Sequence, residues 1–199
     1  MTLAYKYGDG LYLNITNRCC CACEFCIRLD HDSVGGSDSL WLEREPTAAE
    51  VLEAVAKFDP AEYNEFVFCG YGEPTERLEL MLEVCRGLRK TYPGTPIRLN
   101  TNGLADLINH RETAPLLAGL VDTVSVSLNA PDARRYQEIV HSAFGEESFS
   151  AMLSYAKACT DYVPKVKFSV VDIITPEEIG QCRLLTQQLE IPLRVRQKS

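Results

Sequence analysis

Residues 18–26 read RCCCACEFC, five cysteines within eight positions, and that crowding points to a metal site. Cysteine is a soft donor that selects zinc, copper(I) or iron–sulfur clusters. A closed tetrahedral zinc site draws on paired knuckles. The four remaining cysteines, at 69, 85, 159 and 182, are scattered singly and supply no second pair. Two frames compete for three ligands. One is Cys19-x3-Cys23-x2-Cys26. The other, Cys20-x2-Cys23-x2-Cys26, has the ferredoxin-like spacing but meets Asp30 and His31 where that run continues as C-x3-C-P. Three thiolates without a fourth fit a [4Fe–4S] cluster with one iron open, and an open position belongs to catalytic sites rather than structural ones.

Further polar clusters recur along the chain. GYGEPT (70–75) combines Gly70 and Gly72 with Glu73, an arrangement that brings backbone carbonyls and a carboxylate close to a cation such as an ammonium group. Thr75 stands where a G-x-G-x-x-G fingerprint would have its third glycine, so a dinucleotide-binding reading fails. NTNG (100–103) and SLN (127–129) offer Thr101, Ser127 and Asn129, small hydrogen-bonding side chains that also serve as ordinary turn and cap formers. By alternation Cys69 shares a face with Val67, beside the glycine turn. His31, His110 and His141 are isolated from one another and from every cluster.

The elements that must carry these residues follow a simple rhythm. LYLNIT (11–16), EFVFCG (65–70), IRLNT (97–101), TVSVSL (123–128), VKFSVV (166–171) and LRVRQ (193–197) read as strands, each separated from the next by helical pattern. The helices are expected after Thr47, whose partner Glu50 completes a capping box, at 77–90, 105–118, 132–141 and 148–160, and after Thr175, with Pro176 and Glu178. Such alternation means right-handed βαβ units and a parallel sheet. A full eightfold barrel needs roughly 250 residues. The expectation for 199 residues is therefore α/β, a partial (βα)6 TIM-like barrel open on one side, with a doubly wound sheet as the alternative. Both architectures bind ligands beyond the C-terminal strand ends, and each cluster above follows a strand.

Bulk properties narrow the setting. With 46% hydrophobic residues the chain is expected to build one sizeable core. The formal net charge of -8 gives no general attraction to nucleic acid or anionic membranes, and neither is an expected partner. No apolar run approaches the ~18 residues that span a bilayer, and MTLAYKYGDG lacks the features of a secretion signal. Nine cysteines without a disulfide framework fit a reducing, cytoplasmic setting.

The stretch NITNRCCCACEFC, in which C-x3-C-x-Φ-C appears as Cys19, Cys23, Phe25 and Cys26, resembles the radical S-adenosylmethionine (SAM) superfamily, and the resemblance extends over all six strand–helix units. It implies a single core domain over 1–199 without a C-terminal auxiliary domain. It also implies a [4Fe–4S] cluster on Cys19, Cys23 and Cys26 whose open iron takes the amino and carboxylate groups of SAM. Cys20 and Cys21 then become packing residues or loop spacers. Gly70, Gly72 and Glu73 would receive the methionine amino group, Thr101, Ser127 and Asn129 the sugar or methionyl part, Phe25 would join the cofactor contacts, and Val171 would lie along the adenine. Asp172 would be a cap or a ligand. The implied reaction is reductive cleavage of SAM to methionine and a 5′-deoxyadenosyl radical that abstracts hydrogen from substrate. A flavodoxin- or ferredoxin-like electron donor is the implied partner, and a protein or other large substrate would close the open barrel. LWLEREPT and CGYGEPT look most like a small TatD-associated subgroup. The polar segment 27–45, with Gly35, Gly36 and the sole tryptophan, Trp41, is expected to fold over substrate or partner. The basic end Arg194, Arg196, Lys198 reads as a solvated terminus or a docking aid. The competing functions are an iron–sulfur electron carrier without SAM chemistry and a zinc-stabilised interaction domain, neither of which uses the strand-end motifs. Replacing Cys23 or Cys26 by alanine should abolish cluster assembly, checked by iron and sulfide content after anaerobic reconstitution.

Overall fold

The computed structural model describes residues 1–198. Its centre is one seven-stranded sheet with strands in chain order: β1 (Ala4–Tyr7), β2 (Gly10–Leu13), β3 (Glu65–Phe68), β4 (Ile97–Thr101), β5 (Thr123–Ser127), β6 (Lys165–Val171) and β7 (Leu193–Arg196). β2 through β7 pair in parallel, and β1 pairs antiparallel with β2. The order never reverses. A doubly wound sheet requires a reversal at its switch point, so the monotonic order selects the partial barrel. β1 and β7 do not pair, and the barrel stays open between them.

β1 is one strand more than the six expected. The Gly8–Asp9 turn, with Gly8 at φ 56°, folds the chain into a two-residue hairpin in which Tyr7 faces Gly10. This hairpin adds an edge at no cost in crossover length, and its four residues were too few to register as a separate strand. The helices are α1 (Ile27–Asp30), α2 (Ala48–Val55), α3 (Leu78–Thr91), α4 (Ala105–Asn109), α5 (Ala133–Val140), α6 (Glu147–Cys159) and α7 (Pro176–Gln188). The helix expected over 105–118 is interrupted. His110 adopts a left-handed conformation at φ 53°, the Asp106 carboxylate accepts from the Thr113 backbone and hydroxyl, and Ala114–Leu117 forms a separate 3-10 turn around Pro115. Both anticipated capping boxes, Thr47–Glu50 and Thr175–Glu178, are formed.

Strand alternation divides the sheet into two unlike faces. The convex side presents Leu11, Leu13, Phe66, Phe68, Leu99 and Val124, all fully buried in the main core beneath the helices. The concave side is polar, with Tyr12, Arg98, Asn100, Ser125 and Ser169 lining a cavity of about 320 Å³. A closed eight-stranded barrel fills its interior with bulky branched side chains; here that space is left for a ligand. Among the described residues no helix is long and apolar enough to cross a membrane.

At the start of α7, Glu178 accepts from the Thr175 backbone and from Arg135 Nε of α5 at 2.8 Å. The Thr175 amide foremost holds the Glu178 carboxyl below the usual carboxylate range. A group with a depressed folded pKa adds stability that is present above its unfolded pKa and lost as pH falls through the folded value. Glu178→Gln should therefore be less stable than the wild type near neutral pH, and the gap in urea midpoint should close as the pH is lowered into the acid range.

Candidate functional site

The cavity opens at the C-terminal ends of β2 to β6, where the chain leaves each strand through one of the polar clusters. After β2 the chain is held by Asn14, whose Nδ2 donates to Leu40 O at 2.6 Å and to Thr2 O at 3.2 Å. The cysteine loop then lies against the C-terminal end of α5 and the residues just after it: Ala22 N donates to Val140 O, Glu24 N to Ile139 O, and Ala143 N to Cys20 O, at 3.1, 3.1 and 2.8 Å. A tight turn from Cys26 N to Cys23 O (3.1 Å) closes it. Cys19, Cys23 and Cys26 are half-buried and line the cavity, as does the buried Cys21. Cys20 instead accepts from Asn102 Nδ2 at 3.2 Å and is not part of the lining. Cys21 also belongs to the buried core and Cys20 packs against it. Among the described residues no three His, Cys, Asp or Glu side chains gather tightly enough to hold a metal ion, so the thiols share a wall without closing on one centre.

The electrostatics of this wall are uneven. Arg28 reaches the carbonyls of Asn17, Tyr71 and Cys21, each at 3.4 Å, and its charge favours thiolate at Cys19 and Cys23. Hydrogen bonding with Cys21 lowers the Cys19 pKa and raises that of Cys21 itself. Burial, followed by the charges of Cys19 and Cys26, pushes the Cys23 thiol up to about 12. Metal ligation at Cys23 would therefore release a proton on binding.

The glycine turn is built against the cysteine loop. A Cβ on Gly70 would fall 2.1 Å from Asn14 Oδ1, and one on Gly72 would fall 2.4 Å from Thr16 O and 2.5 Å from Arg18 O. Only glycine allows that approach, and Glu73 N completes it by donating to Arg18 O at 2.8 Å. The Glu73 side chain is 4% exposed. Its Oε1 accepts from Thr75 N (3.1 Å), Thr75 Oγ1 (2.8 Å) and Thr101 Oγ1 (2.8 Å), and its Oε2 from Asn102 N (2.7 Å). Burial raises the carboxyl pKa, opposed chiefly by the Asn102 amide. A carboxylate offers about four acceptor sites, so most of Glu73's capacity is spent within the chain, with room at Oε2 for a further donor.

Phe25, Gly70, Gly72, Thr101, Ser127, Asn129 and Val171 line the same cavity. Asn129 is buried with φ 56°, and its Oδ1 has no hydrogen-bond partner. Cys69 is present too, with Tyr5 OH donating to its carbonyl at 3.1 Å and burial raising its thiol. Asp172 lies outside the lining and accepts from Lys198 N at 2.7 Å, which makes it a cap for the segment after β7. Cys85, Cys159 and Cys182 are fully buried in the helices. Of the segment 27–45, Ile27, Val34 and Leu40 line the cavity, Leu40 fully buried with Tyr5 and Tyr71, while most of the remaining residues are exposed. Sequence reading missed Arg28 and Arg98; Arg194, Arg196 and Lys198, read as a solvated terminus or a docking aid, are exposed and also line the cavity. The period-2 spacing of Arg194 and Arg196 was the available signal, since it puts both on one strand face.

The residues present suit the cofactors that the resemblance implies. Soft thiols at one wall match iron–sulfur ligation, and the orphaned Asn129 oxygen awaits a donor. Comparisons with known proteins agree. A model of the radical SAM superfamily matches residues 13–181. A probable RNA methyltransferase from Rhodopseudomonas palustris is 29% identical over 120 residues, 58% of this chain and 30% of that protein. In structure, Streptococcus suis SuiB bound to SAM superposes on 97% of this chain and 41% of its own, with TM-score 0.71 and 16% identity. A radical SAM methyltransferase from Sphaerobacter thermophilus covers 98% of this chain and 68% of its own, with TM-score 0.65 and 17% identity. The chain thus spans less than half the length of the methyltransferase relative and of SuiB.

Gly72→Ala should cost on the order of 1–3 kcal/mol of stability through overpacking against two backbone carbonyls. Gly180→Ala, in α7 with open space around it, should be neutral or slightly stabilising. Urea unfolding of the two variants checks the contrast.

Proposed function

Because this chain belongs to the radical SAM superfamily, an enzyme family that uses a [4Fe–4S] cluster and SAM, we propose that Cys19, Cys23 and Cys26 hold the cluster and that the strand-end residues hold SAM. One observation carries the reading: the three cysteines of the C-x3-C-x2-C frame, the glycine turn and the unpartnered Asn129 oxygen converge on a single cavity. Bound there, the cluster and SAM would supply an electron and a 5′-deoxyadenosyl radical for hydrogen abstraction from substrate.

The chain's own part is binding, orientation and exclusion of water. Hydrogen bonding with Cys21, helped by the nearby Arg28 charge, eases thiolate formation at Cys19. Gly70 and Gly72 let the turn pack directly on the chain after β2, which places Glu73 so that its Oε2 accepts from an ammonium group. Asn129 Oδ1 accepts from a second donor, and Val171 and Phe25 give apolar contact. Val34 and Leu40 close the flank beside β1 and β2. An external flavodoxin- or ferredoxin-like protein supplies the electron, and a large substrate or partner covers the open edge between β1 and β7.

EPR of the anaerobically reconstituted, reduced protein tests this. A [4Fe–4S]+ signal that shifts on adding SAM is expected. A cluster signal indifferent to SAM would identify an electron carrier, and zinc in place of iron an interaction domain. Glu73→Gln should retain iron but lose at least about tenfold in SAM affinity, the scale of one charge-assisted hydrogen bond.

A further inference from the structure

The concave face carries a charge pattern that the SAM-binding residues leave unused. Register sets Ser127 beside Ser169 and Ser169 beside Arg194, with Val171 beside Arg196 one step further on. Lys167 shares that face by alternation and adjoins Ser125. The carboxylates nearby are already engaged. Glu65 pairs with Arg98 through bonds of 2.7 and 3.1 Å, Glu73 takes four donors from its own chain, and Asp30 lies 3.7 Å from Lys198. Among the described residues Arg194, Arg196 and Lys167 have no ion-pair partner. A chain with 28 acidic and 20 basic residues has thus left two unneutralised cations, Arg194 and Arg196, along one side of its cavity, with Lys167 on the same sheet face beyond the lining.

Hydroxyls and guanidinium groups arranged in this way recognise anions. Arginine presents a planar fork that matches carboxylate and phosphate, and serine hydroxyls add rotatable donors. Ser125 and Ser169 are also small, which keeps the space in front of β5 and β6 free. We propose that this face is the substrate subsite, and that the substrate carries a carboxylate or phosphate group held by Arg194 and Arg196 with donation from Ser169. The inference rests on the radical SAM reading in placing substrate in the same cavity as SAM. It also accounts for basic residues on β7, the exposed edge strand of the open barrel, where an entering anion meets them first.

The protein as purified can be titrated with sodium phosphate, sodium pyrophosphate or sodium malonate at constant ionic strength set with sodium chloride, following heat of binding and Tm. At least one of these anions should bind above the chloride background, and the double variant Arg194→Gln/Arg196→Gln should weaken it by at least about tenfold. Preference for pyrophosphate or for malonate distinguishes a phosphate-bearing substrate from a carboxylate-bearing one. No response above chloride, or an undiminished response in a variant with native circular dichroism, overturns the proposal. SAM affinity of the reconstituted double variant should stay unchanged; a loss parallel to that of the anion would assign these arginines to the SAM carboxylate and overturn it as well. Loss of anion binding in the variant together with a cluster indifferent to SAM would sink the radical SAM reading alone.

Discussion

The buried carboxylate of Glu73 ties together the mouth of this sheet. Four donors from Thr75, Thr101 and Asn102 converge on it, joining the end of β3 to the end of β4. Its amide donates to Arg18 and so joins both to the cysteine loop after β2. An ionised carboxylate is costly to bury unless its acceptor sites are filled, and each such bond is worth roughly 1.5–3 kcal/mol. Three strand ends are therefore held in one arrangement by a single group, and any ligand at the mouth meets a surface already set. Gly72 is the geometric counterpart, because the tie forms only where the turn can touch the carbonyls of Thr16 and Arg18.

The rest of the design follows from the two faces of the sheet. The convex face is apolar and sealed by helices, so it supplies stability. The concave face is released from that duty, since a barrel that does not close need not fill its interior. Arg194 and Arg196 can stand there unpaired because they are exposed at the open edge, which lowers the cost of holding unpaired charge. Openness between β1 and β7 and polarity of the cavity are in this sense one property.

Much of this was legible in the residues. Strand–helix alternation predicted a parallel sheet, chain length its partial closure, the two capping boxes placed the starts of α2 and α7, and the cysteine spacing with the glycine turn picked out residues that line the cavity. These signals are local: a cap needs its third neighbour, a strand its alternation, and a thiol set its spacing. What failed was also local in origin. β1 was too short to stand out, and the helix over 105–118 broke because Asp106 found Thr113, a contact whose strength depends on the left-handed turn at His110.

The sequence by itself determined the element types, their order, and which thiols and strand-end residues could do chemistry, because propensity, periodicity and ligand spacing act over a few residues. Only the tertiary structure decided that Cys21 joins the cavity wall while Cys20 turns to Asn102, that Glu73 is largely consumed by its own fold, and that Arg194 and Arg196 face a cavity instead of solvent alone. Each of these depends on which strand lies beside which and on the side to which the sheet curves. Those are set by packing between residues far apart in the chain, which no short window of sequence contains.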